Sequence, residues 1–267
     1  MTVPTPDLKI VPIQHLHAHE DHDHQRSIPL IERLRTEKLM INPPIVTPMN
    51  EHDYVILDGA NRAHAFSALE YPHILVQVVH YDEGQVTLDT WNHIVAHWQE
   101  SLFLDALSHL NNITLNAPDD MAILQLHLKR GDSIQVGSAR PEREHRNTLF
   151  RDIVRLYQKH AHLHRTVEND ANLCWDLYPD GIALVKFRPV QPQDVIEAAK
   201  LRMYLPSGVS RHIVQGRAIR VNFPIDLLRD TTQTLEQKNT FLKNWMREKL
   251  VNRNVRYYAE STYQFDE

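Results

Sequence analysis

The sequence predicts an α/β (α+β) fold in two lobes, and three observations carry that expectation. Up to Tyr81 the chain alternates strand-like and helix-like segments in the order β-α-β-β-α-β, the signature of a mixed layer architecture. The later half adds a hairpin pattern and several amphipathic helices. With 267 residues and 42% hydrophobic content, the chain can bury one large core or two modest ones.

LKIVPIQHLHA has the alternation and β-branching of a strand, and RSIPLIERLRTEKL the apolar spacing of a helix with Ser27 as its N-cap. NPPIVTPM reads as a short extended piece, its prolines favouring an edge or a turn. YVILDG is a buried strand ending at Asp58 and Gly59, ANRAHAFSALEY a helix and HILVQVVHY another strand. TLDTWNHIVAH and SLFLDALSHL read as linking or helical segments. MAILQLHLKRGDSIQVGS is a hairpin, and LFRDIVRLYQKHAHLHRTV an amphipathic helix. ALVKFRPV is a strand leading into the helix PQDVIEAAKLRMYLP, which Pro192 opens and Asp194 follows in the first turn. GRAIRVNFPIDLL alternates, and LEQKNTFLKNWMREKLVNR is a helix. No Gly/Ser-rich linker separates these parts, and the lobes are expected at 1–110 and 111–267.

Composition narrows the function. The formal charge is −5, and acids interleave with the basic clusters RPEREHR and NWMREKLVNRNVR. A protein that mainly neutralises nucleic-acid phosphates would carry a basic stripe instead. No apolar run approaches a membrane span, and the N-terminal stretch lacks a signal-peptide pattern, so a cytoplasmic protein without a membrane partner is expected. One cysteine, Cys174, excludes an internal disulfide and any multi-cysteine zinc site.

ILDGANRAHAFSAL is a strand, a tight turn and a helix. The backbone N–H groups and dipole of such a helix start attract anions, and Gly59 lets a phosphate come close. Arg62 sits in the first turn, able to fork onto phosphate oxygens, and Asp58 at the strand end could hold Mg²⁺. An ordinary strand-to-helix turn with a surface arginine explains the same residues.

This turn resembles the nucleotide-binding turn of the ParB/sulfiredoxin superfamily, whose free-amino-acid kinase branch commonly has D-G-x-H-R there. Asp58, Gly59 and Arg62 match, with Ala60 and Asn61 between them; Asn61 replaces the usual histidine. Two further motifs extend the resemblance to the free L-serine kinase branch. One is His19-Glu20, upstream of the turn. The other is LPSGVSRHIVQGRAIRVN, with Ser210, Arg211 and His212 at its centre. The C-terminal VRYYAESTYQFDE is similar to the version found in siderophore gene clusters.

The resemblance implies a ParB/sulfiredoxin-like nucleotide-binding domain with a second α/β lobe completing the substrate site. It implies a kinase that phosphorylates the hydroxyl of free L-serine, with Mg²⁺ and ATP or ADP as donor. Glu20 and Asp58 are then the catalytic residues, Glu20 as the base. Asp58, Gly59, Ala60, Asn61 and Arg62 bind the nucleotide phosphates. Trp91, Ser210, Arg211 and His212 bind the substrate. Asn61 has two readings, a phosphate donor or a helix cap; Trp91 and His212 have a packing alternative.

HLHAHEDHDH, from His15 to His24, has three readings: a metal cluster, a polar turn, or the setting of Glu20. The alternative function is a ParB-like, nucleotide-dependent DNA-binding or haem-responsive regulator without kinase turnover. DNA or haem as a secondary ligand and a homodimer also stay open. A sulfiredoxin-like reductase is excluded, because its chemistry needs a cysteine where Ala60 stands. The sequence leaves threonine or homoserine open as substrates, since one methyl is worth only about 1–3 kcal/mol.

Overall fold

The computed structural model describes residues 5–20, 24–140 and 142–258. Its elements begin with β1 (Asp7–Pro12), a 3-10 turn (Ile13–His15), β2 (Leu16–Ala18), α1 (His24–Thr36) and β3 (Leu39–Met40). Next come β4 (Ile45–Pro48), β5 (Tyr54–Asp58), α2 (Ala60–Ala68), β6 (His73–Val78), β7 (Val86–Thr90) and β8 (Asn92–Ala96). They are followed by α3 (Glu100–Ser108), β9 (Ile113–Leu115), β10 (Ala122–Leu128), β11 (Ser133–Ser138), α4 (Arg143–His160) and β12 (His162–Thr166). The last are α5 (Ala171–Leu177), β13 (Gly181–Phe187), α6 (Pro192–Leu201), β14 (Ser210–Val214), β15 (Phe223–Pro224), α7 (Ile225–Arg229) and α8 (Leu235–Val251). No described helix is long and apolar enough to cross a membrane.

The chain forms two compact units. The first takes the segments up to Ala18, from α1 to Thr87, and from His212 onward; the second takes His19, Glu20 and Leu88–Arg211. No single cut near residue 110 produces this division. The physical reason is α8, which returns to the start of the chain: Asn239 accepts from the Ile10 amide at 3.0 Å and donates to its carbonyl at 2.9 Å.

The first unit is built on a five-stranded sheet ordered β1-β6-β4-β5-β2, with both parallel and antiparallel neighbours. Ile10, Val46, Ile56, Phe66, Ile74, Val76 and Phe223 pack its core. Contrary to the edge position expected from its prolines, β4 is the central strand. Pro43 and Pro44 precede it and Pro48 is its last residue, so Ile45, Val46 and Thr47 keep their ladder donors.

The second unit carries a six-stranded sheet ordered β12-β8-β13-β10-β11-β9, all neighbours antiparallel. β8, expected to be linking or helical, is a strand buried along its whole length between β12 and β13. Ile94 and Val95 suit that double-sided burial. The helix expected through residue 167 stops at His160, where Ala161 turns extended (φ −132°, ψ 165°) and β12 begins. The hairpin β10–β11 and the helix α8 form as expected; α6 forms with Asp194 closing a capping box on Gln191, but ends at Leu201, where Arg202 turns left-handed (φ 55°), short of the expected Pro206. In the first unit, the alternation expected after Gly216 reduces to β15 alone, because Arg220 and Asn222 are left-handed.

Candidate active site

In the first unit, β5 delivers Asp58 to the turn that starts α2. Gly59 caps that helix at φ +90°, and a Cβ there would lie 3.0 Å from Arg62 Nη2 and 3.1 Å from Pro44 Cα. Both the dihedral and the crowding require glycine. No side chain caps the helix start at Gly59, and Ala60 and Asn61 open its first turn. Asn61 does not act as a cap; its Oδ1 accepts a hydrogen bond from Ser27 Oγ at 3.2 Å. Ser27, expected to cap α1, lies inside that helix.

Arg62 is held at both ends of its guanidinium. Nη1 donates to the Asn42 carbonyl at 2.5 Å and Nη2 to Asp58 Oδ2 at 3.3 Å. Arg217 donates to the same Asp58 oxygen. Burial and then the charge of Arg217 draw the Arg62 pKa down, against the pull of Asp58. Asp58 is thus a half-exposed carboxylate beside a helix start, with both arginines on Oδ2. A single carboxylate of this kind has the oxygen chemistry to share a Mg²⁺ with phosphates and water.

In the second unit, Glu20 is bridged to Leu205, whose amide donates to the His19 carbonyl at 2.8 Å. Its carboxylate is wrapped by donors. Oε2 accepts from the Gly208 amide at 2.9 Å; Oε1 accepts from the Ser210 amide at 3.2 Å and from the Ser210 hydroxyl. Since that hydroxyl spends its proton on Glu20, it accepts from His19 Nε2 at 2.8 Å. Burial pushes the Glu20 pKa up, but the His19 contact, the Ser210 hydroxyl and the Gly208 amide outweigh it and bring it to about 2. Glu20 is ionised across the physiological range.

The loop that supplies those amides is fixed from behind. Gly208 lies at φ +81°, and a Cβ on it would run into the Arg165 guanidinium. Its carbonyl accepts from His93 Nε2 at 3.0 Å, so Nδ1 of a neutral His93 is left to accept from the Tyr157 hydroxyl at 2.7 Å. His93 is fully buried, and burial lowers its pKa to about 4. His93, Tyr157 and Arg165 went unnoticed in the sequence, and Gly208 stood inside LPSGVSRHIVQGRAIRVN with no role given to it. Gly208 is one of only 7 glycines, and that scarcity in a loop was the available signal.

The three residues Ser210, Arg211 and His212 are not brought together. Strand alternation on β14 turns Arg211 away from its neighbours. Arg211 lies 4.7 Å over the Trp91 ring and donates to Asp89 at 2.9 Å, within the second unit. His212 belongs to the first unit and pairs with the Tyr81 hydroxyl at 2.8 Å.

The histidine run also divides. His15 and His17 approach Asp53 Oδ1 at 3.3 and 3.0 Å, whereas His19 serves Ser210 in the other unit. Among the described residues, no group of three or more His, Cys, Asp or Glu could hold a metal ion. Asp21, His22 and Asp23 lie outside the described residues, as does the C-terminal stretch from residue 259.

No family model matches the chain. It is 24% identical over 258 residues to the ATP-dependent L-serine kinase SbnI of Staphylococcus aureus, covering 96% of each chain. The solved structure of C-terminally truncated SbnI superposes with a TM-score of 0.72 at 22% identity, covering 92% of this chain and 97% of that one. A free serine kinase in complex with AMP also superposes at 0.72, with 11% identity and coverage of 84% and 95%. At these identities the likeness fixes architecture, and the chain has the fold that these serine-kinase structures share.

Proposed function

We propose that this protein is a nucleotide-dependent kinase that phosphorylates the hydroxyl of free L-serine to give O-phospho-L-serine. The observation that carries the reading is Glu20: an ionised, largely buried carboxylate that already accepts a hydrogen bond from an alcohol, the Ser210 hydroxyl. The substrate hydroxyl would take an equivalent contact. Similarity to an ATP-dependent L-serine kinase over nearly the whole chain supports the choice of substrate.

The nucleotide phosphates would sit at the start of α2, against the backbone at Gly59, Ala60 and Asn61 and the guanidinium of Arg62. Asp58 would hold Mg²⁺, which when bound neutralises phosphate charge. Arg211, stacked on Trp91, would be offered to the serine carboxylate, and Ser210 serves through Glu20; His212 stays with Tyr81 in the first unit.

Glu20 orients the serine hydroxyl for in-line attack on the terminal phosphorus. The new oxygen–phosphorus bond forms as the bond to the leaving nucleotide breaks, and the hydroxyl proton passes to Glu20. With a pKa of about 2, Glu20 is a weak base. It therefore takes that proton late, once bond formation has acidified the hydroxyl, and its main work is positioning. A cytoplasmic location, where ATP and ADP are available, goes with this reading.

Phosphorus NMR of the protein with Mg²⁺, L-serine and either ATP or ADP tests the reading. A phosphomonoester signal that requires serine supports it and identifies the donor. Nucleotide binding without turnover on either donor overturns it.

A further inference from the structure

Gln77 is the penultimate residue of a largely apolar strand, HILVQV, and only 2% exposed. A buried amide must spend its hydrogen-bonding groups well. Gln77 spends both on one short segment after β14: Nε2 donates to the Gly216 carbonyl at 3.0 Å, and Oε1 accepts from the Ala218 amide at 2.8 Å. The residue gripped between those two contacts is Arg217.

The segment has no sheet ladder of its own to hold it. Gly216, Arg220 and Asn222 are left-handed, at φ +64°, +52° and +54°. A second amide pins it further along: Asn42 Oδ1 accepts from the Arg220 amide at 2.8 Å, and the Ile41 carbonyl accepts from the Val221 amide at 2.8 Å. Asn42 is also the residue whose carbonyl holds Arg62. Side-chain clamps thus set a strained strap beside the phosphate turn and aim one arginine at it.

Arg217 meets Asp58 there, and so does Arg62. Two guanidiniums on one carboxylate leave a net positive charge at the helix start, where backbone N–H groups already favour an anion. Asp58 cannot satisfy both donor forks with one oxygen. A phosphate can accept the donors that remain.

We infer that Arg217, presented by the Gln77 clamp, is a further ligand of the nucleotide's polyphosphate end, and that Asp58 holds it ready until that ligand arrives. The inference rests on the reading that nucleotide binds at α2. Arg217 is a binding residue in this account and Gln77 a positioning residue.

Titration calorimetry of the full chain with ATP, ADP, AMP and adenosine tests it. Arg217→Ala should weaken ATP and ADP by about tenfold or more, AMP less, and adenosine not at all. Arg217→Lys should recover part of the loss, since it keeps the charge without the fork. Gln77→Leu should reproduce the same order of losses at smaller size. Because Arg217 is well exposed, its variants fold even if Gln77→Leu does not.

ATP affinity within about twofold of wild type in Arg217→Ala overturns the inference, as does an equal loss for ATP and adenosine. Unchanged ATP affinity in a folded Gln77→Leu overturns the clamp. The readout is binding alone, so a wild-type chain that binds ATP in this order but never phosphorylates serine sinks only the kinase reading. A wild-type chain that binds none of these ligands sinks both.

Discussion

His93 holds Gly208 by its carbonyl, 3.0 Å from Nε2, while the Gly208 amide holds Glu20 at 2.9 Å. A fully buried imidazole thereby sets the backbone that keeps the carboxylate in place. That arrangement works only while His93 is neutral, because Nδ1 must accept from Tyr157.

Stability is therefore expected to depend on pH through His93. Its pKa is about 4 when folded and 6.5 by default, so between these values the unfolded chain binds the extra proton. The contribution is complete above pH 6.5 and is lost as pH falls toward 4, by about 2 kcal/mol at pH 5. Urea midpoints at pH 7.5 and pH 5 should fall further apart in wild type than in His93→Gln. Equal spacing in the two proteins would remove His93 as the cause.

Gly208→Ala should cost about 1–2 kcal/mol, chiefly from its φ of +81°, since the Arg165 guanidinium that a Cβ would meet is a flexible chain end. The amide donor to Glu20 would shift with it. The expected outcome is a folded protein with a lower melting temperature and serine phosphorylation reduced by more than tenfold at unchanged nucleotide affinity, about 1.4 kcal/mol in the transition state. Wild-type turnover would mean that the Gly208 contact is dispensable.

Gly59→Ala acts on the other unit. Its φ of +90° strains any side chain and the rigid Pro44 Cα at 3.1 Å crowds a methyl, so a cost of about 1–3 kcal/mol is expected in thermal unfolding. Nucleotide affinity should fall about tenfold or more, with adenosine affected less than ATP. A variant that binds ATP as wild type does would separate Gly59 from the phosphate site.

Ser210→Ala removes one donor from Glu20 and the acceptor of His19. The Glu20 pKa should rise from about 2 toward its ordinary 4.5. Because a depressed carboxylate pKa stabilises the fold above pH 4.5 and loses that contribution as pH falls toward 2, the variant should unfold at a higher pH during acid titration. Acid-unfolding curves followed by circular dichroism give the comparison, and coincident curves would contradict it.

The strand-turn-helix around Asp58 and Gly59 was legible in sequence because it is local: all three parts lie within one short run, and turn chemistry alone places them. Glu20 was legible only by resemblance, since its partners Gly208 and Ser210 stand 188 and 190 residues away. The same non-locality hid His93, Arg165, Gln77 and Arg217. Each takes its meaning from a neighbour that only folding supplies. β8 was misread because its apolar residues are buried on both faces, which erases alternation. The histidine run kept a metal cluster open among its three readings because spacing says nothing of the unit boundary that separates His17 from His19.

The most direct test of the central claim is Glu20→Gln in the serine-dependent phosphorus assay, with nucleotide affinity measured on the same sample. The account expects turnover to drop by about a thousandfold or more while ATP binds within about twofold of wild type. A variant that still phosphorylates serine at the wild-type rate, or one that loses nucleotide binding together with turnover, would contradict it.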